Sequence, residues 1–215
     1  MDEVTWDAIL AESELQRAST PISRMSSRPL PLRGRLVIHL PEVSRQVDAI
    51  TPTLRDALGL LVRGDAPWPL FVHGAVGTGK SCAALCLLDH TSGHYHTALG
   101  LAELLARSQQ GRYTETELSS RETRVIWPEL VWSWLSGTPL VVLDELGSRG
   151  HVTDHQYETV KRLIDCRHGK PLVCLSNLCL EELASLYDAR VADRLAAGTK
   201  VHLTGPSRRL QGGRP

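Results

Sequence analysis

The chain has 215 residues, 42% of them hydrophobic, 22% charged and 5% aromatic, the composition of an ordinary globular protein. Its 24 basic and 24 acidic side chains cancel, which argues against a histone-like coat for nucleic acid or a generally membrane-adsorbing surface and leaves room for a local basic patch. That length buries the core of one α/β domain with an extension to spare, whereas two full domains would be cramped. No run approaches the roughly 18 apolar residues of a membrane span, and Met1-Asp2-Glu3-Val4 is acidic where a secretory signal starts basic and turns apolar. The expected location is the cytoplasm, with no membrane partner. The five cysteines form no CxxC pair and read as reduced small hydrophobes. Cys82 and Cys86 share a helical face, but no His or Cys at matching spacing completes a metal site around them.

Residues 2–14 are acidic and place Trp6, Ile9 and Leu10 on one side of a short amphipathic helix, after which Ser, Pro and Arg dominate through Arg35. Residues 1–35 thus read as an adaptor helix and a flexible basic linker, 36–210 as the folded domain and 211–215 as a disordered tail. Leu36 to Leu40 looks extended, and Leu54, Leu58 and Leu61 form a helical stripe within Thr53 to Arg63. Pro69 to His73 is a buried strand running into a glycine loop, with a helix over Ser81 to Leu88. A weaker strand, His94 to Ala98, precedes a helix marked by Leu101, Leu104 and Leu105; Leu130, Val131 and Trp134 mark another. Leu140 to Leu143 is a continuous apolar strand. The next helix has a capping box, Thr153-x-x-Gln156, then Tyr157, Val160 and Ile164 on one stripe, and ends at Gly169 and Pro171. Leu172 to Leu175 is a further strand, Glu181 to Ala197 a helix stopped by Gly198, and Lys200 to Thr204 a fifth strand. Repeated βα units of this kind predict a parallel sheet with helices on both faces.

Gly74-Ala75-Val76-Gly77-Thr78-Gly79-Lys80-Ser81 matches GxxxxGK(S/T) in full, between a buried strand and a helix. Glycines let the backbone wrap phosphates so that its N–H groups and the helix N-terminus face the anion. Lys80 reaches the outer phosphates, and the Ser81 hydroxyl ligates magnesium. A second magnesium-side carboxylate is supplied by Asp144, at the carboxyl end of the Leu140–Leu143 strand where parallel sheets place their sites. Glu145 follows it; a carboxylate there orients or deprotonates the water that attacks the γ-phosphate, or else caps the next loop. A nucleotide kinase has no use for a water-activating group, so the Asp-Glu pair favours hydrolysis. Ser176-Asn177 ends the following strand. If that strand lies between those of the P-loop and Asp144, Asn177 faces the γ-phosphate and can hold the attacking water.

With GAVGTGKS, LVVLDELG, LVCLSNL, ARVADRL and GPSRR in this order, residues 53–209 resemble AAA+ ATPases, and within them the branch that contains the replicative helicase loaders DnaC and DnaI and the transposition helper IstB. The resemblance implies an AAA+ type P-loop NTPase fold with a five-stranded parallel sheet between helices and no C-terminal lid domain. It implies ATP and Mg2+ as cofactors, with hydrolysis coupled to protein and DNA assembly. It makes Arg194 the arginine finger that acts in trans on the next subunit of a head-to-tail oligomer, and Arg209, or Arg208 beside it, a sensor-II arginine. Arg190 and Arg194 do share a helix face, and guanidinium meets phosphate in a bidentate way that lysine cannot; a solvated face with Asp188 and Asp193 as partners is the alternative.

The partners so implied are a hexameric replicative helicase and single-stranded DNA, or, in the IstB-like alternative, a transposase and duplex DNA. The short N-terminal segment departs from the substantial N-terminal modules of the family. The tryptophans Trp127, Trp132 and Trp134 either stack bases or, as their helical spacing favours, belong to the core. The polar stretch Gln109 to Arg124 is a candidate DNA-facing insertion, and Arg17, Arg24, Arg28, Arg33 and Arg35 are candidate phosphate contacts.

Overall fold

The computed structural model describes residues 50–91, 93–112, 114–116 and 123–207. The expected adaptor helix and linker, the Leu36–Leu40 strand, the arginines before residue 36, Arg208, Arg209 and the 211–215 tail lie outside the described residues.

Helix α1, Pro52–Arg63, starts where the Thr51 hydroxyl accepts the Leu54 N–H at 3.3 Å and Pro52 presets the first turn. Gly64 stops it in the left-handed conformation, φ 77°. Then follow β1 (Leu70–His73), α2 (Lys80–His90), β2 (Gly93–Thr97) and α3 (Ala98–Gln109). After α3 come a hairpin of β3 (Thr114–Thr116) and β4 (Thr123–Val125), then α4 (Pro128–Gly137) and β5 (Leu140–Leu146). The chain continues through α5 (Asp154–Cys166), β6 (Leu172–Ser176), α6 (Leu180–Leu186), α7 (Ala189–Ala196) and β7 (Thr199–His202).

The main sheet has five parallel strands in the order β2-β5-β6-β1-β7. Its two faces are apolar because successive side chains of a strand point opposite ways. Leu70, Val72, Tyr95, Val142, Val173 and Val201 meet α1 and α2 on one face. Phe71, Val141, Leu143 and Cys174 meet α3, α4, α5, α6 and α7 on the other. The α/β architecture and the strand count agree with the sequence reading. Among the described residues no helix is long and apolar enough to cross a membrane, and all five cysteines are free of disulfides.

One local expectation is corrected. The single helix expected over Glu181 to Ala197 is two, broken at Tyr187 and Asp188, because Asp188 is extended and caps α7 by accepting the Val191 N–H at 2.8 Å. That side chain also accepts the Tyr157 hydroxyl at 2.7 Å, so a tertiary contact overrides helical propensity. Within the polar stretch Gln109 to Arg124, β3 and the start of β4 pair antiparallel. The tryptophans divide: Trp132 is buried, Trp134 packs against the core and Trp127 is 54% exposed.

Two buried polar features stand out. Arg167, 2% exposed, donates to the carbonyls of Leu135 (3.2 Å), Ser136 (3.4 Å), Thr138 (2.7 Å), Pro139 (3.2 Å) and Pro171 (2.5 Å). It satisfies the end of α4 and pins the entrances of β5 and β6, a helix C-terminus being where a cation is welcome. On edge strand β2, His94 and His96 are buried with ring centroids 6.1 Å apart. Burial, then the neighbouring His94, pulls the His96 pKa down to about 3; burial and Arg167 lower that of His94.

Two stability outcomes follow. Arg167→Met leaves five carbonyls short of a donor, which costs about 3 kcal/mol, a fall in Tm of roughly 6 to 12 °C at this size, readable by circular dichroism. Because His96 binds its proton far more weakly folded than unfolded, unfolded chains take up protons first, and stability falls as pH drops from about 6.5 towards 3. His96 alone removes about 2 kcal/mol between pH 6.5 and 5. Urea midpoints at the two pH values read this loss, and His96→Leu reduces it.

Candidate functional site

The P-loop leaves the carboxyl end of β1 and enters α2. Gly77 and Gly79 adopt φ 84° and 99°, a region closed to most side chains. The loop is also crowded from above. A Cβ on Gly74 would lie 2.1 Å from the Leu203 carbonyl oxygen, and one on Gly77 would lie 2.1 Å from Ser207 Oγ. Chain beyond β7 therefore runs directly over the loop, and its first two glycines are required by packing as well as by curvature. Thr78 Oγ1 donates to the Ala75 carbonyl at 2.9 Å. Val76 is 57% exposed at the rim. Lys80 is buried with Nζ inside the curl, donating to the Gly74 and Ala75 carbonyls at 2.7 and 2.9 Å. Gly79 begins α2 with no side-chain cap, so the helix N-terminus offers its N–H groups to an anion.

Beneath the loop lies Asp144, 4% exposed. Its Oδ2 accepts the Ser81 hydroxyl at 2.5 Å, and its Oδ1 accepts the Glu145 N–H at 2.6 Å. The same Oδ2 accepts the Tyr95 phenol at 2.5 Å. Burial first, and then Asp144, push the Tyr95 pKa upward, so this hydroxyl remains a donor. Glu145 is exposed and has φ 58°, the one positive φ outside glycine among the described residues. It falls where the β5–β6 register shifts between Leu143 and Leu146. A bulge of this kind re-aims a side chain at the end of a strand, and strained backbone of this kind clusters at functional sites.

Strand β6 does lie between β5 and β1. Ser176 is buried, opposite His73 in the register, and donates to the Leu146 carbonyl at 2.6 Å. It also accepts the Leu178 N–H at 3.0 Å. Asn177, next to it and exposed, is thus held at the strand end between the P-loop strand and the Asp144 strand. His73 stacks on His202 of β7, ring centroids 4.5 Å apart, and burial with the His202 charge lowers its pKa.

The carboxyl ends of β1, β5 and β6 hence bring together Gly74 to Ser81, Asp144, Glu145 and Asn177. Arg194 is elsewhere: on α7, it forms an ion pair with Asp165 of α5, the two side chains 38% and 43% exposed. Neither Asp188 nor Asp193 is its partner in this pair. Arg190 is exposed on the same helix. A cleft of about 200 Å³ opens between α3 and the start of α5, lined by Leu99, Ala102, Arg149, His151 and His155 among others.

The donor set fits magnesium. One hydroxyl and one carboxylate, both beside a phosphate cradle, match a cation that keeps several waters and takes few protein ligands. Ser81 and Asp144 would hold it, and it would neutralise phosphate charge there. Sequence reasoning missed Tyr95 and Ser207. Tyr95 alternates with two histidines on a strand whose neighbour was unknown, and Ser207 comes over the loop through the path taken after β7.

No family model matches the chain, and no curated protein matches it. Solved structures do. The replication initiator DnaA bound to AMPPCP and single-stranded DNA aligns with a TM-score of 0.58 at 14% identity, over 76% of this chain and 49% of that one. AMPPCP-bound DnaA from Aquifex aeolicus gives 0.55 at 14%, over 75% and 49%. A DNA replication initiation factor gives 0.54 at 16%, over 70% and 44%. The chain spans about half the length of these structures. The likeness is one of fold: a five-stranded parallel sheet between helices, shared with these replication proteins.

Lys80→Ala removes the one charged side chain inside the loop and is expected to weaken ATP binding at least roughly tenfold by calorimetry. Glu145→Gln is expected to keep ATP affinity and lower steady-state hydrolysis about 100-fold or more.

Proposed function

We propose that the protein is a magnesium-dependent ATPase that acts as a DnaC-like helicase loader, assembling head to tail on single-stranded DNA and delivering or remodelling a replicative helicase. The observation that carries the ATPase reading is the Ser81–Asp144 contact beneath an intact P-loop, with Glu145 turned out at a bulge beside it. The fold shared with nucleotide-bound replication initiators supports it, as does the ordered set of segments from GAVGTGKS to GPSRR.

In the reaction, loop N–H groups and the Lys80 ammonium hold the β- and γ-phosphates of ATP. Glu145 takes a proton from the attacking water while Asn177 holds that water in line; the water oxygen bonds to the γ-phosphorus as the β–γ bridge oxygen leaves with ADP. Arg194 belongs to the next subunit's site. Its exposed pairing with Asp165 is worth under about 1 kcal/mol, so exchanging it for a γ-phosphate is inexpensive. Arg209 is a sensor-II contact in this reading, and Ser207, two residues before it, lies over Gly77. Residues 1–16 are the element that engages the helicase in this reading.

Arg194→Ala and Glu145→Gln proteins are each expected to be inactive alone and to regain partial ATPase activity when mixed, since some interfaces of a mixed oligomer keep both groups. No recovery despite co-assembly on a sizing column rejects the trans role. Deleting residues 1–30 is expected to leave ATP affinity and Tm unchanged while abolishing capture of the host's replicative helicase. Capture of a transposase, with preference for duplex over single-stranded DNA, replaces the loader reading by the IstB-like one.

A further inference from the structure

Asp144 receives a donor that the P-loop motif does not account for. A carboxylate offers about four acceptor positions. On Oδ2 both are used, one by Ser81 and one by Tyr95, each at 2.5 Å, and Oδ1 takes the Glu145 N–H. The two hydroxyls approach from opposite elements. Ser81 stands in the first turn of α2, and Tyr95 stands on β2, the strand beside β5, where it is 2% exposed among Leu85, Leu140 and Val142. A ring buried in that core would contribute its packing as phenylalanine, without burying a hydroxyl that must then find a partner.

The chemistry of Ser81 gives this hydroxyl a task. A serine has one O–H and two lone pairs. While the O–H is given to Asp144, the lone pairs face away and are free for a cation beside the loop. That orientation lasts only as long as the carboxylate plane stays still. Without Tyr95 the carboxylate plane would be held by Ser81 and by the Glu145 N–H, which comes from its own bulged strand end. The Tyr95 hydroxyl, fixed by the packing of a whole aromatic ring on the neighbouring strand, adds a restraint on Oδ2 that does not depend on that strand end.

We infer that Tyr95 is a positioning residue for the magnesium side of the nucleotide site, holding the Asp144 carboxylate so that Ser81 presents its lone pairs to the cation. The inference rests on the nucleotide reading of the P-loop and deepens it by naming the residue that sets metal affinity.

Tyr95→Phe deletes one oxygen and keeps the ring. ADP binding to the full chain is measured by calorimetry across a magnesium titration and again in EDTA. The expected result is a half-saturating magnesium concentration raised roughly 10- to 100-fold, as for other residues that orient metal ligands, with ADP affinity in EDTA unchanged. The increment in Tm that magnesium adds to ADP shrinks in parallel, whatever stability the variant starts from. In an Asp144→Asn background, adding Tyr95→Phe leaves the magnesium requirement unmoved, since the carboxylate being held is gone. A Tyr95→Phe protein that titrates with magnesium like wild type overturns the inference, as does one that loses ADP affinity equally in EDTA. Wild type that binds ADP no better with magnesium than without overturns the metal-dependent reading of the site itself, and this inference with it.

Discussion

One buried carboxylate organises the centre of this molecule. An ionised side chain cannot be left alone among apolar groups, and Asp144 resolves this by accepting from α2 through Ser81, from β2 through Tyr95 and from its own strand through the Glu145 N–H. The same three contacts set the height of the P-loop helix over the sheet and aim the bulged end of β5. The cost of burying the charge is thus offset by contacts that also arrange the chemistry, and structure and site share one set of hydrogen bonds.

Helix α5 plays the corresponding part on the other face. Its Tyr157 fixes the cap of α7, its Asp165 receives Arg194, and the Arg167 that follows it closes the end of α4 against the entrances of β5 and β6. These contacts differ in worth. Arg167 is buried on five carbonyls, so losing it strands acceptors in the interior. The Asp165–Arg194 pair is half in water and is easily exchanged.

The loop shows how one residue type answers two demands. Gly77 is left-handed, which phosphate wrapping requires, and it also lies under Ser207, which allows no Cβ. The second demand comes from chain more than a hundred residues later and is invisible in the motif. Glu145 likewise reads from sequence as a neighbour of Asp144, whereas its positive φ at a register shift is what turns it outward.

The sequence by itself determined the alternation of strands and helices, the P-loop, and the acidic pair at a strand end. Each is a local property: apolar runs of strand length, glycines at fixed spacing, a capping box from Thr153 to Gln156. Tertiary structure decided strand order, and with it the place of Asn177 between the P-loop and Asp144 strands. It decided the break at Asp188, where a bond from Tyr157 of another helix outweighs the propensity of a seventeen-residue stretch that reads as continuous. It also decided the partners of Tyr95, Arg167 and Arg194, because a hydrogen bond between residues 29 or 49 positions apart leaves no periodicity in the chain. Only the packing of sheet against helix brings such groups within reach.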